Sequence, residues 1–71
     1  MPEPKIRQWL IDARKVKGLT QEEVATSVGV TRTTYARYEM GERTPRPKIA
    51  DALAHTLNVH REHFFWDQQK E

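Results

Sequence analysis

Seventy-one residues suffice for one domain, and 37% hydrophobic with 31% charged residues is the balance of a globular chain rather than a disordered one. Cysteine is absent, which excludes disulfides, thiol nucleophiles, iron–sulfur clusters and thiolate zinc sites. The formal net charge is only +2, and no run of about 18 apolar residues is present, so the sequence predicts no membrane-spanning helix. A domain this small buries only about 60% of the surface its unfolded chain exposes, and a catalytic pocket of a few hundred Å³ is hard to build in it. Composition therefore leans away from an enzyme and toward a binding module, and no cofactor is implied. The first residues lack a charged-then-apolar secretion segment, so the chain is expected to stay in the cytoplasm.

In chain order, Pro2 and Pro4 keep the first residues out of a helix interior. Ile6, Leu10 and Ala13 then fall at i, i+4 and i+7, one apolar stripe of a first helix. Gly18 ends it, with Lys15 and Lys17 placed to complement its C-terminal dipole. Thr20 followed by Glu23 is a capping box and starts a second helix, whose inner face is Val24, Ala25 and Val28. Gly29 ends that helix, because glycine tolerates the left-handed backbone of a tight turn. Thr31 reads as the cap of a third helix, with Tyr35 and Tyr38 as its inner positions and Gly41 as its end. Glu42 to Pro47, containing Pro45 and Pro47, reads as a loop. Ile49, Leu53 and Leu57 mark a fourth helix, stopped by Asn58. His60 to Trp66 reads as a short fifth helix, and the polar tail over about 67–71 is expected to fray. No segment alternates with period two. The expectation is one all-α domain of about five helices spanning residues 1–71.

The informative block runs from about Thr20 to Glu39. Two helices crossing steeply over a short turn need inward apolar residues on the first, met by Val24 and Val28, and a small residue at the crossing, met by Ala25. They also need a positive-φ residue in the turn, an apolar anchor after it and two inward positions on the second helix. Gly29, Val30, and the pair Tyr35 and Tyr38 meet these demands in order. This is the pattern of a DNA-binding helix-turn-helix. Charge agrees: Arg32, Arg37, Arg43, Arg46 and Lys48 form a basic stripe against Glu39 and Glu42, a phosphate footprint if it is more than an ordinary solvated face.

From roughly Ile6 to Phe65 the chain resembles the lambda repressor and Cro family, the XRE-type regulators. The carrying segments are Gly18-Leu19-Thr20-Gln21-Glu22-Glu23-Val24-Ala25, Val28-Gly29-Val30-Thr31, and Tyr35-Ala36-Arg37-Tyr38-Glu39-Met40-Gly41-Glu42-Arg43-Thr44-Pro45. The resemblance implies a compact five-helix, lambda-repressor-like domain whose third helix lies in the DNA major groove. It implies that Arg32, Thr33, Ala36 and Arg37, the outward face of that helix, read bases, with arginine able to grip guanine bidentately. For Arg32 and Arg37, phosphate contact or plain solubility is the competing role. Gln21 matches a phosphate-binding position, and Thr20 either caps its helix alone or also touches phosphate. Thr31, Arg43, Thr44, Arg46 and Lys48 are the further phosphate candidates, Arg43 having the alternative of bracing the loop. Glu42 stands where the family often has lysine and Met40 where it often has asparagine; the carboxylate repels phosphate unless it points away or pairs with Arg46. Arg14 and Glu39 match a pair that bridges the first helix to the end of the third and fixes its angle.

Trp9 lies off the apolar stripe, and Phe65 and Trp66 extend past Phe64, so these rings suggest an interface, the alternative being that they cap a thin core. Family members commonly dimerise through this end, and Phe65 and Trp66 are the candidate dimer contacts. His60 and His63 share a face at i, i+3, but surface histidines are the simpler reading than a metal pair. The functional expectation is a dimeric, sequence-specific regulator, a repressor, binding an inverted-repeat double-stranded DNA operator as a homodimer. The alternative is an antitoxin-type module that binds a protein partner and perhaps its own promoter. No ligand-sensing domain is expected beside this one.

Overall fold

The computed structural model describes residues 6–68. Among them the chain forms five helices and no strand: α1 Gln8–Val16, α2 Gln21–Val28, α3 Arg32–Glu39, α4 Pro47–Leu57 and α5 Glu62–Gln68. Local chemistry accounts for most boundaries. Thr20 Oγ1 accepts from the Glu23 N–H at 3.1 Å while the Glu23 carboxylate accepts from the Thr20 N–H at 2.8 Å, a complete capping box at the start of α2. Thr31 Oγ1 accepts from the Thr34 N–H at the start of α3. Gly29, at φ 82°, makes the turn between these helices, and the N–H groups of Gly29 and Val30 both return to the Ala25 carbonyl. Asn58, at φ 58°, ends α4 in the left-handed conformation that asparagine tolerates.

Three boundaries differ from the sequence reading. Helix α1 begins at Gln8, so Ile6 lies outside it and is 51% exposed, whereas Arg7 is 4% exposed. Helical spacing has no meaning upstream of the helix cap, and the extension of the stripe to Ile6 fails for that reason. Pro47 belongs to α4 as its first residue, where its missing N–H costs nothing. Helix α5 starts two residues later than expected and reaches Gln68, past the predicted start of fraying.

The core consists of Leu10 from α1, Val24, Ala25 and Val28 from α2, Tyr35 and Tyr38 from α3, Ala50, Leu53 and Leu57 from α4, and Phe64 from α5. Helix α2 is the hub, packed against α3 and α4. Trp9 is not an exposed ring: it lies 5.0 Å edge-on from Phe64 and 4.7 Å from the His63 ring, closing the seam between α1 and α5. His63 is accordingly half-buried rather than on the surface. Among the described residues no helix is long and apolar enough to cross a membrane.

Candidate nucleic-acid interface

Helix α3 has two unlike faces. Tyr35, Tyr38 and Glu39 are buried; Arg32, Thr33 and Arg37 are exposed and Ala36 is half-buried. The only acid on α3 is Glu39, and its carboxylate is turned inward and paired. The outward face is therefore cationic with no acid of its own helix to oppose it.

The inward end of α3 is held by a polar network. Arg14 Nε donates to Glu39 Oε2 at 2.7 Å, and Arg14 Nη1 donates to the Leu19 carbonyl at 3.0 Å. The other carboxylate oxygen accepts from Gln21 Nε2 at 2.8 Å, and Gln21 Oε1 accepts from Arg32 Nη1 at 3.4 Å. One chain of bonds thus runs from α1 through the end of α3 and the start of α2 to the first residue of the outward face. The Glu39 hydrogen bond and, secondarily, its charge hold the Arg14 guanidinium above its ordinary pKa. Burial, and next the neighbouring Glu39 carboxylate, push the Tyr35 phenol far above its ordinary range.

The expected phosphate contacts divide by position. Thr20, Thr31, Arg43, Arg46 and Lys48 are exposed, and Thr44 and Gln21 are half-buried. Thr31 donates its hydroxyl to Thr34 Oγ1 at 3.0 Å, and the hydroxyl of Thr20 is occupied in the capping box, so both already serve as caps. Arg46 caps α4 through its backbone, without a side-chain bond, and Lys48 lies in the first turn, which carries no acid. Arg32 is the first residue of α3, whose first turn likewise carries no acid. Cations at a helix start oppose the dipole, a cost that a bound polyanion would remove.

The residue missed in the sequence is Arg7. Its Nη1 donates to the Tyr38 carbonyl at 2.7 Å and the Arg43 carbonyl at 2.9 Å, its Nη2 donates to Thr44 Oγ1 at 2.9 Å, and its guanidinium lies 5.4 Å over the Phe64 ring. No periodic signal marks it, because it precedes α1 and its partners are distant in sequence. Phe65 is half-buried on α5, and the side chain of Trp66 lies outside the described residues. The His60 and His63 rings are 6.3 Å apart, and among the described residues no group of three or more His, Asp or Glu is arranged to hold a metal.

Known proteins share this architecture. The chain is 42% identical over 53 residues to the cryptic phage CTXphi transcriptional repressor RstR of Vibrio cholerae, covering 69% of this chain and 47% of that protein, so it spans about half of RstR. It is 43% identical over 58 residues to an HTH-type transcriptional regulator of Methanothermobacter thermautotrophicus, covering 82% and 81% of the two chains. The crystal structure of the restriction-modification controller protein C.AhdI from Aeromonas hydrophila superposes with a TM-score of 0.70 at 31% identity, covering 82% of this chain and 88% of that one. The family profile HTH_3 matches residues 10–64, and the chain belongs to this helix-turn-helix family.

Proposed function

We propose that this chain is a sequence-specific DNA-binding transcriptional regulator, a dimeric repressor acting by occupancy of its operator in the cytoplasm. The observation that carries this reading is the outward face of α3, where Arg32, Thr33, Ala36 and Arg37 are presented while the helix's one acid is withdrawn into the pair with Arg14. Arginine forks suit guanine O6 and N7, and the threonine and alanine methyls suit thymine. Thr44, Arg43, Arg46 and Lys48 follow in the next loop and first turn of α4, where they suit the flanking backbone phosphates. Transcriptional regulators and a repressor among the similar proteins support the same reading. One copy presents one such helix, so reading two successive major grooves about 34 Å apart takes two copies.

The test is selection of sites from a random duplex library at near-physiological salt, because phosphate-driven affinity falls steeply with ionic strength. Enrichment of an inverted repeat is the expected result, and its half-site spacing reports the dimer geometry. A pure, folded protein that enriches no duplex overturns the reading in favour of a module that binds a protein partner.

A further inference from the structure

We propose that Arg7 is a positioning residue for DNA binding: it clamps the loop after α3 to the end of that helix and presents the Thr44 hydroxyl as a hydrogen-bond donor to a backbone phosphate. The inference rests on the DNA-binding reading above.

The C-terminal end of α3 leaves its last four carbonyls without partners inside the helix. Met40 N–H returns to Ala36, Glu42 N–H to Arg37 and Gly41 N–H to Tyr38, which leaves the Glu39 carbonyl, and this accepts from the Arg7 backbone N–H at 2.8 Å. The Arg7 guanidinium then adds a second bond to the Tyr38 carbonyl and, from the same nitrogen, one to the Arg43 carbonyl. A rigid planar fork therefore spans the helix end and the loop, and sets the distance between them. The Phe64 ring supports the guanidinium from α5, and the Arg7 carbonyl accepts from the Leu10 and Ile11 N–H groups in the first turn of α1, so the clamp is anchored on both sides. Burying a guanidinium is costly in itself, and an apolar side chain would often serve stability as well. What an apolar side chain does not supply is this placement of the loop.

The consequence falls on Thr44. A hydroxyl has one donor hydrogen and two acceptor lone pairs. Arg7 Nη2 occupies an acceptor position of Thr44 Oγ1 at 2.9 Å, so the hydroxyl hydrogen points away from Arg7. A phosphate oxygen only accepts, and it needs that hydrogen. Because the contact is neutral on the protein side, its loss weakens binding without changing the number of counterions released.

The experiment compares the full chain with Arg7→Lys, Thr44→Val, Thr44→Ser and the Arg7→Lys/Thr44→Val double variant. Affinity for the selected duplex is measured by fluorescence anisotropy over a salt series, and folding by thermal melts. Lysine keeps the charge and loses the fork. Arg7→Lys and Thr44→Val are each expected to weaken binding by about tenfold well below their melting temperatures. The double variant is expected to lose no more than either single one, and the salt slope to stay that of the wild type. Thr44→Ser, which keeps the hydroxyl, is expected to stay within about twofold. Wild-type affinity in a folded Arg7→Lys or Thr44→Val, or losses that multiply in the double variant, would overturn the proposal. Should Arg7→Lys fail to fold, Thr44→Ser, which keeps the acceptor of Arg7 Nη2, is set against Thr44→Val, which removes it, with the melts reading what that lost bond costs the fold; a folded Thr44→Val that binds as tightly as Thr44→Ser overturns the proposal. A wild-type chain that binds no duplex sinks the DNA reading and this inference with it, whereas wild-type binding matched by the folded variants sinks this inference alone.

Discussion

Glu39 is the residue on which most of the interface geometry converges. Its carboxylate is 3% exposed and receives both the Arg14 guanidinium and the Gln21 amide. Removing one partner of a buried pair leaves the other charge uncompensated, at a cost of roughly 3–5 kcal/mol. A domain of this size has little more than that in total, so Glu39→Ala is expected to be largely unfolded at room temperature, and an unchanged urea midpoint would refute the role given to the pair. Tyr35 carries a second prediction. Its phenol is fully buried beside this pair, and its pKa is raised from an ordinary 10.0. The folded state therefore favours the protonated phenol. The resulting stability is fully present below about pH 10 and is lost as pH rises from there toward the folded-state value. Unfolding at a series of alkaline pH values should show stability falling for the wild type, with a shallower fall in Tyr35→Phe.

At the level of elements, the turn between α2 and α3 shows how little material sets the helix crossing. Gly29 holds φ at 82°, and a Cβ built there meets nothing within 4 Å. The cost of a side chain is thus backbone strain alone, about 1 kcal/mol for the left-handed region. Gly29→Ala is expected to lower Tm by roughly 4–8 °C for a domain of this length while leaving helix content by circular dichroism unchanged. Gly29→Asn should lose less, because asparagine visits this region more readily. A loss well beyond this range in Gly29→Ala would mean that the turn also makes contacts the strain argument omits. Helices α3 and α4 both begin without a carboxylate in the first turn, unlike α2 with Glu22 and Glu23.

For the whole molecule, the described residues extend 32 × 21 × 21 Å, and a single copy presents a single α3. Dimerisation is what would bring a second reading helix to the next groove. Phe65, half-buried on α5 next to Trp66, is the described side chain best placed to test this end of the molecule as the contact. Phe65→Ala is expected to shift the sedimentation profile toward monomer and to weaken operator binding in parallel. An intact dimer in that variant would remove α5 as the interface and point to another face.

Local structure was legible because its causes are local. Thr20 with Glu23, Thr31, Gly29 and Asn58 act through hydrogen bonds and φ angles within about four residues, and the inward residues of α2 and α3 follow from helical period alone. The outward face of α3 is the complement of that period, so its arginines could be named before any coordinates. Tertiary structure decided what sits between elements. Arg7 reaches partners 31, 36 and 37 residues away, Gln21 reaches Glu39 across 18, and Trp9 meets the His63 and Phe64 rings from the other end of the chain. A period carries no information about such pairs: burying a charge is decided by which distant carbonyls and rings arrive beside it, and only packing brings them there.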